Sequence, residues 1–124
     1  MSKQKTVFVV DDDLGMLRGV KRLLNAHGYD SVLFSSAEAF QKHDDFKQAI
    51  CVVLDINLND RSGIDVNRRL KASGVSLPVI FVTGRDNPAT RVAAMASGCI
   101  AYLTKPFVAK SLMEPIERVA ANVA

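Results

Sequence analysis

Six polar residues stand where apolar runs of the chain stop. Thr6–Val10 runs into Asp11-Asp12-Asp13, and Cys51-Val52-Val53-Leu54 runs into Asp55. Pro78-Val79-Ile80-Phe81-Val82 runs into Thr83, and Lys105 closes the stretch holding Ile100-Ala101-Tyr102-Leu103. Each has a plain explanation alone: the aspartates can cap a helix, and Asp55 or Thr83 can open a loop. If the runs are parallel strands, however, all six share one edge of a sheet, the edge where open α/β sheets place ligands. Like charges at ~4 Å cost about 4 kcal/mol at an effective dielectric of 20, so clustered carboxylates there call for a cation. Oxygen donors without His or Cys favour a hard ion, and Mg²⁺ suits one or two carboxylates plus waters and phosphate. The Thr83 hydroxyl and the Lys105 charge fit phosphoryl oxygens better than a neutral substrate. An aspartate flanked by a divalent cation and a lysine is an acceptor for phosphoryl transfer, forming an aspartyl phosphate.

The elements that must position these groups can be read from the pattern. Thr6–Val10, Asp30–Phe34, Cys51–Asp55, 78–83 and 100–103 read as strands, the second short and at the sheet edge. Met16, Leu17, Val20, Leu23 and Leu24 recur at helical spacing, with Asp13 as cap and Gly28 at the C-terminal turn. Ser35-Ser36-Ala37-Glu38 matches a capping box and opens a second helix through Phe40. A polar loop at 57–63 leads to a third helix over 64–72, ended by Gly74. Asn87-Pro88 begins a fourth helix that stops at Gly98, and a last helix covers 110–122. Strand and helix alternate five times, which calls for a doubly wound parallel sheet with helices on both faces, in one domain over 1–124.

Composition narrows the function. Hydrophobic residues make up 48% of the 124, enough for a packed core. No apolar run approaches the ~20 residues of a membrane span, and the start at Met1-Ser2-Lys3-Gln4-Lys5 has no signal-peptide core. Cys51 and Cys99 show no metal or redox spacing and read as reduced thiols of a cytoplasmic protein. A net charge of +3 on scattered basic residues does not make a nucleic-acid surface.

The ordered set of motifs resembles the receiver domain of bacterial two-component response regulators. It comprises Val9-Val10-Asp11-Asp12-Asp13, Val52-Val53-Leu54-Asp55 with Ser62-Gly63, Val79-Ile80-Phe81-Val82-Thr83-Gly84, and Ala101-Tyr102-Leu103-Thr104-Lys105-Pro106-Phe107. The resemblance implies a flavodoxin-like (βα)5 fold with strand order 2-1-3-4-5. It implies that Asp55 accepts a phosphoryl group from a phosphohistidine on a sensor histidine kinase or histidine phosphotransfer protein. Asp11, Asp12, Asp55 and the backbone carbonyl of Asn57 would hold Mg²⁺, while Thr83 and Lys105 would contact phosphoryl oxygens. Tyr102 matches a switch aromatic that follows Thr83, and the Lys105-Pro106 peptide is expected to be cis. Such a domain is a signalling switch rather than a turnover enzyme, it catalyses its own phosphorylation and dephosphorylation, and it pairs into homodimers when phosphorylated. It serves transcription regulation through an output domain or partner and binds neither nucleic acid nor membrane itself. A haloacid-dehalogenase-type phosphatase is the rival: Asp11-Asp12-Asp13 satisfies its Asp-x-Asp start, but the acidic pair it needs after the lysine is lacking.

Two departures from that family pattern, and one pair of positions beside the site, carry expectations. Asn59 stands where a proline is common, so the loop after Asp55 should be looser. Pro115 lies well inside the last helix and should kink or delay it. Asn57 and Arg85, two residues past Asp55 and Thr83, flank the path of a hydrolysing water, and Arg85 should shield the phosphoryl group.

Overall fold

The computed structural model describes residues 5–122, so Met1 to Gln4 of the leader reading lie outside the described residues. Five strands alternate with five helices: β1 (Thr6–Val10), α1 (Leu14–Ala26), β2 (Asp30–Phe34), α2 (Ala37–Gln41), β3 (Cys51–Asp55), α3 (Gly63–Ala72), β4 (Val79–Thr83), α4 (Pro88–Ser97), β5 (Ala101–Thr104) and α5 (Ala109–Asn122). A single 3₁₀ turn at Phe46–Gln48 precedes β3. All strand pairs are parallel, in the order β2-β1-β3-β4-β5. The expected doubly wound sheet and its strand order are therefore present.

Alternation of side chains divides the core into two layers. Val7, Val9, Cys51, Val53, Ile80 and Val82 face Leu17, Val20 and Leu24 of α1 and Leu112, Met113 and Ile116 of α5. Phe8, Val10, Val52, Leu54 and Phe81 face α2, α3 and α4. Every residue of β1, β3 and β4 is buried, which is why each reads as an apolar run with one polar residue at an end, Thr6, Asp55 or Thr83. The edge strands β2 and β5 are only partly covered.

Local chemistry accounts for most of the ends. Asp13 caps α1 by accepting from the Gly15 and Met16 N–H groups, and Gly28 takes φ +83° in the turn beyond it. Asn87 caps α4 with Pro88 at its first turn. Bounds at β4, β5, α3 and α5 differ from the sequence reading by one residue. The capping box is shifted too: Ser36, not Ser35, accepts from the Ala39 N–H. This places Glu38 too early in the helix to reach back, and the carboxylate of Asp60 takes the Ala37 and Glu38 N–H groups instead. Pro115 does not delay the last helix, which begins at Ala109 and runs through it. Its ring lies on the buried stripe with Leu112, Met113 and Ile116, where packing offsets the lost hydrogen bond.

An acidic corner at the carboxyl edge of the sheet

The register makes the corner. Val10 lies opposite Leu54, so β1 and β3 release Asp11 and Asp55 side by side. Asp11, Asp12 and Asp55 each bring a carboxylate oxygen to within 4.8 Å of the others. Asp13, the third of the run, turns away to cap α1. Lys105 arrives from the far edge after β5, with Nζ 2.8 Å from Asp11 Oδ2 and 3.4 Å from Asp55 Oδ2. Its peptide bond to Pro106 is cis, as expected.

The corner is nearly dry. Asp11 is 2% and Asp55 4% exposed, so little water screens their charges. Burial pushes the Asp55 carboxyl above the usual carboxylate range, and the Asp11 charge adds to the push. The Asn57 N–H, at 3.0 Å from Asp55 Oδ1, and Lys105 pull the other way without cancelling it. Burial by itself would lower the Lys105 pKa, but its bond to Asp11 and the two carboxylate charges hold the ammonium above its ordinary value. Three carboxylates against one lysine leave the corner with an excess of negative charge. With oxygen donors alone and, among the described residues, no His or Cys in the group, the set fits a hard divalent cation.

Every candidate residue of the sequence reading lies around this corner or on its flank. Asn57 follows Asp55 by two residues, and its side-chain oxygen accepts the Thr83 hydroxyl at 2.6 Å. Thr83 ends β4, fully buried, and its Oγ1 also accepts the Arg85 N–H at 3.0 Å. Arg85 is exposed and lines a groove with Asn57, Asn59, Ser62 and Thr90. Tyr102 of β5 turns its hydroxyl to Asp86, donating to Oδ1 at 2.9 Å. Arg91 of α4 completes a clasp, 3.0 Å from Asp86 Oδ2 and 4.6 Å over the Tyr102 ring. Hydrogen bonds from Tyr102 and Arg91 hold Asp86 below its usual value. Burial and then the Asp86 bond raise Tyr102.

Several contacts had no signature in the sequence reading. The Asp86–Arg91 clasp, the Thr83–Asn57 bond and the Asp60 cap on α2 each join residues from different elements or loops. Asn59, where the loop was expected to be looser, makes a contact of its own: its N–H donates to Asp12 Oδ2 at 2.9 Å and ties the loop to the corner. A proline has no N–H to give, and the absence of one there was the available signal. The loop closes on itself through the Gly63 N–H and the Ile56 carbonyl at 2.9 Å. Gly63 is required at that crossing, since any side chain would overlap the Asp55 carbonyl.

Comparison with known proteins agrees. The profile of the response regulator receiver domain matches residues 7–117. Response regulator protein TodT of Pseudomonas putida is 31% identical over 114 residues, covering 92% of this chain and 50% of TodT. Transcriptional regulatory protein FixJ of Bradyrhizobium diazoefficiens is 32% identical over 117 residues, covering 94% of this chain and 57% of FixJ. The chain thus spans about half the length of these relatives. The crystal structure of FixJ-N superposes with a TM-score of 0.85 at 27% identity, over 99% of this chain and 98% of that one. Nothing in these matches supports the haloacid-dehalogenase alternative.

Proposed function

We propose a function from one premise: the chain belongs to the response regulator receiver domain family, a family of signalling domains rather than turnover enzymes. Asp55 takes a phosphoryl group from a phosphohistidine on a sensor histidine kinase or a histidine phosphotransfer protein. A carboxylate oxygen of Asp55 forms the new O–P bond as the P–N bond breaks, and the imidazole departs with the electron pair. The observation that carries this reading is the convergence of Asp11, Asp12 and Asp55 with Lys105 on two of them.

Each residue has a part in that transfer. Asp11, Asp12, Asp55 and the Asn57 carbonyl would hold Mg²⁺, which when bound supplies charge to the phosphoryl oxygens. Lys105 leaves its carboxylates to pair with a phosphoryl oxygen, and Thr83 gives up Asn57 to donate its hydroxyl there. Tyr102 follows the movement of Thr83 and leaves Asp86, which changes the surface around α4 and β5. The same corner admits water, and the domain ends its own signal by hydrolysis at Asp55. Phosphorylated copies pair as homodimers, in the cytoplasm, to control an output domain or partner that regulates transcription. The name of FixJ, a transcriptional regulatory protein, supports that last step.

Incubation with Mg²⁺ and acetyl phosphate tests the reading by intact mass. A single adduct of about 80 Da, lost when Mg²⁺ is chelated and lost in Asp55→Asn, is expected. An unmodified wild-type protein, or an adduct that survives Asp55→Asn, overturns it.

A further inference from the structure

The three carboxylates of the corner are not held alike. Asp11 is fixed by Lys105 at 2.8 Å and by the Asp13 N–H at 2.9 Å. Asp55 is fixed by the Asn57 N–H at 3.0 Å and by Lys105 at 3.4 Å. Asp12 is only half-buried and lies outside the reach of Lys105. Its carboxylate meets instead the Asn59 N–H, from a residue 47 positions further along the chain.

That donor sits in a braced loop. On one side of Asn59, the Asn57 N–H turns back to Asp55 and the Asn57 side chain takes the Thr83 hydroxyl. On the other, the Asp60 carboxylate grips the first N–H groups of α2 at 3.2 and 3.1 Å. An Asn57–Ser62 bridge and the Gly63–Ile56 bond close the loop. The Asn59 N–H is therefore held in place from both sides, and Asp12 must come to it.

We propose that Asn59, through its backbone N–H and not its side chain, is the positioning residue for Asp12 in the cation site. The inference rests on reading Asp11, Asp12 and Asp55 as that site. One Asp12 oxygen is occupied by the N–H, which stops the carboxylate from rotating freely and leaves the other oxygen for the ion. Hydrogen bonds to metal-ligating carboxylates of this kind change metal affinity by about 10- to 100-fold when lost. The contact also ties the cation site to the loop that carries Asn57, and through Asp60 to the start of α2.

Because the donor is a main-chain group, two substitutions at one position separate backbone from side chain. Calorimetric titration with Mg²⁺ should show Asn59→Ala, which retains the N–H, binding within about twofold of wild type. Asn59→Pro, which removes it, should bind about tenfold more weakly. In an Asp12→Ala background the same proline should cause no further loss. Equal affinities for wild type and Asn59→Pro overturn the proposal, as does an equal loss in Asn59→Ala or a loss that persists without Asp12. A wild-type protein that does not bind Mg²⁺ overturns the cation site itself, and the proposal with it. If Asn59→Pro fails to fold, amide NMR of the full chain decides. The Asn59 resonance should move on Asp12→Ala while those of Ala37 and Glu38 stay, and an unmoved Asn59 amide overturns the proposal.

Discussion

The acidic corner and its flank lie on the same edge of the sheet, yet they are built from opposite materials. In the corner, Asp11 and Asp55 are almost wholly buried, and among the described residues Lys105 and two backbone N–H groups answer their charges. On the flank, Tyr102, Asp86 and Arg91 hold one another at a surface where each can trade its partner for water. Coulomb energies are large where water is absent and small where it is present. A phosphoryl group added to the corner changes charge where charge matters most. The flank can rearrange at little cost, which suits a region that reports the change. Thr83 lies between the two, buried at the end of β4, bonded to Asn57 two residues past Asp55 and to the N–H of Arg85, the neighbour of Asp86.

If that contrast holds, substitutions in the corner should disturb stability far more than those on the flank. Lys105→Ala leaves two buried carboxylates without their cation. It should cost about 2–3 kcal/mol at neutral pH, less than the ~3–5 kcal/mol of a fully buried pair because Lys105 is a quarter exposed. Chemical denaturation at two pH values checks this, and the loss should shrink in acid as Asp55, whose pKa burial raises, takes up a proton.

Asp55→Asn should act in the opposite direction. The folded pKa of Asp55 is raised, so its ionised form is disfavoured by folding, and wild-type stability falls as pH rises through that pKa. Removing the charge should raise the neutral-pH melting temperature by about 4 °C, what ~1 kcal/mol gives a domain of this size. The gain should disappear as pH drops toward the ordinary carboxylate range. A melting temperature that falls, or a gain independent of pH, would break the contrast from the corner side.

The flank should show its effect in titration rather than in stability. Asp86→Ala removes a bond that raises the Tyr102 phenol, so phenolate absorbance from Tyr102 should develop at lower pH than in wild type. Thermal stability should be unchanged within error, since Asp86 is exposed. Arg85→Ala should have the smallest effect, speeding loss of the phosphoryl group roughly two- to threefold, a fraction of a kcal/mol in barrier. An unchanged rate in a time course of intact mass would remove Arg85 from the account.

The sequence was most readable where burial is complete. β1 and β3 have the expected ends because each buries four consecutive apolar residues, Val7 to Val10 and Cys51 to Leu54, and an aspartate follows where the apolar run stops. Asn87-Pro88 was equally plain, since a side-chain cap and a proline both act locally. Ser35 and Ser36 could not be told apart by composition, and the backbone chose the second. Distant contacts were hidden for a different reason. The bond from Asn59 to Asp12 is made by a main-chain N–H that every residue but proline carries, so no side chain announces it. The Asp86–Arg91–Tyr102 clasp joins α4 to β5, and nothing in either segment alone requires the other.

The central claim is that the phosphoryl bond forms on Asp55 and not on the aspartates of β1. Borohydride reduction of the phosphorylated protein tests it most directly, because an aspartyl phosphate is reduced to homoserine while a free carboxylate is not. Peptide mass mapping should place homoserine at position 55 only, and only after incubation with Mg²⁺ and phosphodonor. Homoserine at position 11 or 12, with position 55 intact, would contradict the account.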